Sequence, residues 1–112
     1  MIIKKSEREK HANSPKCIAY QYDHKDKDIN IAFIEINGRY PDKGRVMNKV
    51  CKEIVFVVKG KGKIVIADKE LLISEGDSIF IQPNQKYFFD GKLEITVSCH
   101  PTWYPEQHVE CD

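Results

Sequence analysis

Cys51-Lys52-Glu53-Ile54-Val55-Phe56-Val57-Val58-Lys59-Gly60-Lys61-Gly62 is a carboxylate opening an apolar run, followed by a lysine between two glycines. A second apolar run, Ile64 to Ala67, comes after it. Val, Ile and Phe favour extended backbone, because branched and aromatic side chains pack well on a pleated surface. Gly-Lys-Gly reads as the turn between two strands, so the segment is expected to be a β-hairpin. Glu53 stands near the start of the first strand, among residues that belong in a core. An unpartnered buried carboxylate is costly, so Glu53 requires a metal, a hydrogen-bond donor or a ligand. What partners Glu53 is the question on which function turns.

The same punctuation runs outward from this segment. Strands are expected at Cys17 to Tyr22, Ile29 to Ile36, Arg45 to Val50, Leu71 to Ile73, Ser78 to Ile81, Lys86 to Phe89 and Leu93 to Cys99. Turn formers separate them: His24 to Asp28, Asn37 to Gly44, Asp68-Lys69, Ser74 to Asp77, Pro83 to Gln85 and Asp90-Gly91. Leu93, Ile95, Val97 and Cys99 fall on one face of their strand, and Glu94, Thr96 and Ser98 on the other. No window carries a helical period. Many short strands between frequent turns predict an all-β sandwich or barrel. Residues 1–15 are charged and aperiodic and are expected to form an N-terminal arm, with the barrel domain over residues 16–112. Ile54–Val58 and Ile64–Ala67 are apolar on both faces, which predicts cover on both sides, the outer cover coming from a partner subunit in a homodimer.

The 112 residues suit one domain, and 41% hydrophobic with 31% charged residues is an ordinary globular composition. A net charge of +1 gives no basic field for nucleic acid. No apolar stretch is long enough to span a bilayer, and the polar start lacks a signal-peptide pattern, so the expected location is the cytoplasm. Cys17, Cys51, Cys99 and Cys111 show no C-x-x-C spacing. In a reducing compartment such cysteines are free, small apolar residues.

With these residues in view, the chain resembles the cupins, small β-barrels of jelly-roll type (double-stranded β-helix). Their first motif ends in Glu, six residues and Gly, as Glu53 and Gly60 do here. Their second runs Gly, five residues, Pro-x-Gly, two residues and His. Here Gly76, Pro83, Asn84 and Tyr87 follow that order, with Pro displaced by one position and Asn84 where Gly is usual. Asn tolerates a left-handed turn, so that exchange is mild. The family resemblance implies a single jelly-roll barrel and a homodimer. It also exposes a departure. In metal-binding cupins two His of the first motif and one of the second join the Glu around a metal. Those positions fall on Met47 and Lys49, or on Val46 and Asn48, and on Tyr87. The standard metal site is therefore not expected.

Asn48, Cys51, Glu53, Tyr87 and Cys99 are expected to line one cavity. One reading makes Cys51, Glu53 and Cys99 an irregular divalent-metal site or a reactive thiol. The plainer reading makes the cysteines core filler and pairs Glu53 with the Tyr87 hydroxyl, a sound donor to a carboxylate. Trp103 and Tyr104, in the aromatic tail Cys99 to His108, form either a flap contacting a ligand or a plug closing the barrel. Arg39, in Asn-Gly-Arg-Tyr-Pro, is either a mouth cation for a carboxylate or phosphate or a surface loop residue. Short cupins of unassigned function carry similar Asn-Gly-Arg-Tyr-Pro and Pro-x-Trp-Tyr-Pro-Glu-Gln-His segments. Three functions follow as expectations. The first is binding of a small polar ligand, sugar- or carboxylate-like, with no cofactor. The second is isomerase- or epimerase-like catalysis with Glu53 as acid or base and Tyr87 as its partner. The third is a metal enzyme built on the irregular Cys/Glu set.

Overall fold

The computed structural model describes all residues, Met1–Asp112. Nine strands form one curled antiparallel sheet: β1 (Glu9–Ser14), β2 (Cys17–Tyr22), β3 (Asn30–Tyr40), β4 (Arg45–Asn48), β5 (Lys52–Ile66), β6 (Lys69–Ser74), β7 (Ser78–Ile81), β8 (Tyr87–His100) and β9 (His108–Cys111). Single 3-10 turns lie at Lys5–Glu7 and Pro105–Gln107. The expected all-β barrel is what the chain forms. The N-terminal stretch is more ordered than an arm: Glu9 to Ser14 pair with β2 as an edge strand. Their polarity suits that edge, because all but Ser14 are exposed. No helix is long and apolar enough to cross a membrane.

β8 is the spine. It pairs with β3 from Asn30↔Cys99 to Tyr40↔Phe89, and with β5 from Lys52↔His100 to Ile66↔Tyr87. Its odd-numbered side chains, among them Phe89, Leu93, Ile95 and Val97, are buried inside the barrel. Burying each such side chain is worth roughly 1.5–3 kcal/mol.

The expected hairpin at Gly60-Lys61-Gly62 is instead the middle of one long strand. Lys61 and Gly62 pair with Lys92 and Gly91, so the expected turn at Asp90-Gly91 is also strand. Asn37 to Tyr40, expected as loop, likewise continue β3. The glycines serve close approach rather than reversal. A Cβ on Gly91 would meet the Gly62 Cα at 2.5 Å, and one on Gly62 would meet the Asp90 carbonyl oxygen at 2.4 Å. A strand bend and a turn both call for glycine, so the sequence alone does not separate them. The register of β5 against β8 shifts between Val57 and Lys59. Glu53, Val55 and Val57 are buried before this bulge, and Ile64 and Ile66 after it. One extra residue thus switches the inward parity and keeps both halves of β5 facing the core. At the second motif Asn84 adopts φ 68°, the left-handed conformation for which Gly is usual.

On the outer face, apolar side chains of β3, β5 and β7 flank the polar outer residues of β8. Ile31, Ser98, Ile54 and Phe80 form one row across the four strands. Ile54 and Phe80 are 54% and 53% exposed, which leaves a large apolar surface open on one side of the barrel.

Gly91 sits at φ 141° with no room for a side chain. Gly91→Ala is expected to destabilise the fold by about 3 kcal/mol, through backbone strain and overpacking together. Urea denaturation measures it; an unchanged midpoint would show that the two strands can separate there at no cost.

Candidate functional site

Glu53 begins the inward face of β5, directly opposite Cys99 of β8. That pairing brings the Cys99 thiol to the carboxylate, where Sγ donates to Oε2 at 3.2 Å. Asn48, the last residue of β4, donates from Nδ2 to Oε1. Tyr87 stands on the same cavity wall and supports the ionised carboxylate, although its hydroxyl makes no hydrogen bond of standard geometry to Glu53. Burial raises the Glu53 carboxyl above the ordinary carboxylate range. The Cys99 and Asn48 donors and the nearby Tyr87 hydroxyl pull it back, and burial prevails.

The carboxylate faces an interior cavity of about 60 Å³. Its walls include Tyr40, Tyr87, Cys99, Trp103 and His108, above an apolar floor of core residues such as Val97 and Phe89. An open groove of about 630 Å³ beside the start of β5 shares Glu53, Cys99 and Asn30 with this cavity.

The tail after β8 completes the wall. Thr102 and Trp103 are tied to the β2–β3 loop and to Asn30: the Thr102 hydroxyl donates to the Asp26 carbonyl at 2.6 Å, and the Trp103 N–H to Asn30 Oδ1 at 3.0 Å. The 3-10 turn then buries Gln107, and β9 pairs with β4 so that His108 is the register partner of Asn48. His108 Nδ1 lies 2.9 Å from Asn48 Oδ1, and its Nε2 lies 3.2 Å from the Tyr40 hydroxyl. Burial lowers the His108 pKa and raises that of Tyr40.

The expected site residues therefore divide. Glu53, Tyr87, Cys99 and Trp103 line the cavity. Asn48 is fully buried behind Glu53 and touches it without lining the cavity. Cys51 points the other way, its Sγ donating to the Pro101 carbonyl at 3.2 Å. No three His, Cys, Asp or Glu side chains stand close enough to share a metal ion, so the irregular Cys51–Glu53–Cys99 set does not assemble. Cys99 is no ready thiolate either, because burial and the adjacent Glu53 charge raise its pKa. Tyr104 is exposed. Arg39 lies outside the cavity, where it donates to the carbonyls of Pro41 at 2.6 Å and Gly44 at 2.9 Å and covers the Phe88 ring. That makes it a clamp on the β3–β4 loop.

Tyr40, Gln107 and His108 were not picked out as site residues from sequence. The signal was there in two unusual segments, Asn-Gly-Arg-Tyr-Pro and the aromatic tail. The Tyr40–His108 contact joins them across the barrel.

Two opposed pH effects follow. The folded-state pKa of Glu53 is raised, so its contribution to stability is complete below its unfolded pKa near 4.5 and declines as pH rises toward the folded value. That of His108 is depressed, so its contribution is present above its unfolded pKa near 6.5 and declines as pH falls through the folded value. Glu53→Gln keeps the shape and the acceptor for Asn48 but removes the ionisation. It is expected to raise the melting temperature more at alkaline than at acidic pH. Thermal melts across pH decide this, and an increment independent of pH would mean that Glu53 is not held toward its protonated form.

No family profile matches the sequence, and no curated protein matches it either. Solved structures do match in fold. The nucleoside dehydratase Pac13 of Streptomyces superposes with a TM-score of 0.88 at 15% identity, over 98% of this chain and 89% of that one. A His→Gln and two Tyr→Phe variants of it have been solved with uridine. A protein from Planctomyces limnophilus matches with a TM-score of 0.82 at 17% identity, over 96% of this chain and 94% of that one. KdgF from Halomonas matches at 0.73 and 13%, over 90% and 94%. The curled antiparallel sheet, the two motif positions inside it and these likenesses establish that the chain folds as a cupin barrel.

Proposed function

We propose that the barrel binds a small hydroxylated molecule and moves protons on it without a metal. The observation that carries this reading is the pair of ionisable groups on one cavity wall, Glu53 and His108, which share the Asn48 amide between them. Burial pushes the pKa values of the two toward each other, raising the acid and lowering the base. An acid that holds its proton more firmly beside a base that stays neutral can give and take protons, which is what acid–base catalysis of an elimination or isomerisation needs. Tyr87 and Tyr40 add hydroxyls that orient a polyol. The cavity suits the reacting end of the ligand, and the groove beside Lys52 suits the remainder. Uridine, held by the Pac13 variants, is the natural first probe.

Saturation-transfer NMR with uridine, other nucleosides and uronic acids tests the binding half. At least one is expected to bind, and Ala19→Leu, which adds bulk to the cavity wall, is expected to abolish that binding. Binding that survives Ala19→Leu would place the ligand elsewhere and sink the reading. For a ligand that is turned over, Glu53→Gln is expected to retain binding and lose turnover by at least about 100-fold, the usual worth of a general acid.

The apolar outer face is proposed to seat a second copy of this chain, which would also wall the groove, since Ile31, Ile54 and Phe80 line both. Analytical ultracentrifugation is expected to give a dimer for the native chain and a monomer for Ile54→Asp with Phe80→Asp. A monomeric native chain would overturn it.

A further inference from the structure

We propose that His108 is the proton acceptor of the cavity, held with its Nε2 lone pair toward Tyr40 by a chain of amides that begins at the backbone. The inference rests on the cavity being the reaction site, and its starting point is Gln107. Gln107 Oε1 lies 3.2 Å from the Val50 amide nitrogen and 3.0 Å from that of Cys51. A backbone N–H only donates, so this atom of Gln107 must be the carbonyl oxygen. Its Nε2 therefore donates to Asn48 Oδ1 at 2.9 Å. With its oxygen assigned, Asn48 presents Nδ2 to Glu53.

The same Asn48 oxygen, which carries no hydrogen, faces His108 Nδ1 at 2.9 Å. Nδ1 must then bear the proton. A neutral imidazole has one N–H, so Nε2 holds a free lone pair, and the Tyr40 hydroxyl is its donor. Each step leaves one choice for the next. Gln107 and Asn48 are positioning residues in this scheme, and His108 and Tyr40 face the cavity.

In turnover one proton leaves the ligand for Nε2. It passes directly, or through Tyr40, whose own proton moves to Nε2 as its oxygen takes the ligand's. The electron pair of the broken bond stays on the ligand. Protonated Glu53 returns one proton to the ligand, so the site gains one and loses one and ends as imidazolium and carboxylate. Exchange with solvent restores the starting state. Asn48 is aligned for that end state, its oxygen toward the cation and its NH₂ toward the anion, with no reorientation needed.

Long-range ¹⁵N–¹H correlation of the histidine side chains of the full-length ¹⁵N-labelled protein near neutral pH tests the chain without any ligand. His108 is identified by the signals lost in His108→Gln. The expected pattern is protonated Nδ1 and unprotonated Nε2. Tyr40→Phe is expected to keep that tautomer and move the Nε2 resonance downfield, through loss of its donor. Gln107→Glu cannot donate to Asn48 and is expected to lose the Nδ1–H pattern or average it with the other tautomer. An Nε2–H tautomer or an imidazolium in the native chain would overturn the proposal, as would a tautomer indifferent to Gln107→Glu. If that variant does not fold, Tyr40→Phe decides: an unmoved Nε2 resonance overturns it. A failed ligand screen would count against the binding reading alone, and a wrong tautomer against this proposal alone.

Discussion

The Gln107 carboxamide, accepting from two backbone N–H groups, gives direction to every hydrogen bond behind the cavity. An amide can rotate by half a turn and exchange its donor and acceptor at almost no cost in shape. Pinned to donors that cannot become acceptors, Gln107 loses that freedom, and Asn48 loses it in turn. A polar network of this kind is stabilising only when every member is satisfied. No buried side-chain nitrogen or oxygen in this chain lacks a partner. The network is therefore an ordered device as well as a buried one.

Glu53 shows what such a device offers in place of a metal. The cupin resemblance puts Tyr87 at a position where metal-binding cupins carry histidine and, on one of its two spacings, Asn48 at another. A divalent cation would hold the carboxylate ionised. Neutral donors are weaker: the thiol of Cys99 and the amide of Asn48 offset only part of the desolvation, and the pKa rises. The carboxyl is then easier to protonate than an exposed one, while the same neighbours hold its place. In the proposed reading, donors in place of histidines change what the carboxylate can do, from a fixed ligand toward a group that exchanges a proton.

Legibility in the sequence followed interaction range. The inward face of β8 was readable because Leu93, Ile95, Val97 and Cys99 alternate with polar residues, a pattern set by neighbours two apart. Glu53 was readable as a problem, since a carboxylate among branched side chains needs an answer. The answer itself lay in pairings across the sheet, Glu53 with Cys99 and Asn48 with His108, which no local pattern records. The glycines at 60, 62 and 91 misled for a physical reason. Glycine relieves crowding wherever two backbones approach closely, and the crowding here is between long strands rather than within a turn. Cys51 misled through parity: it shares the parity of Glu53 but precedes β5, where the strand alternation does not yet hold.

The division of the site between two pairings also ranks the importance of the tail. Glu53 and Cys99 are fixed by the long β5–β8 ladder, which carries much of the core. Gln107 and His108 depend on four residue pairs between β9 and β4 and on the contacts of Thr102 and Trp103 to the β2–β3 loop. The ladder alone would bury Glu53 but leave the Asn48 amide free to turn. It would then be a core with an awkward acid, stable through β8 and without chemical direction. The acid belongs to the barrel, and the assignment of donor and acceptor around it belongs to the last dozen residues. In the proposed reading, those residues turn a buried carboxylate into one half of an acid–base pair.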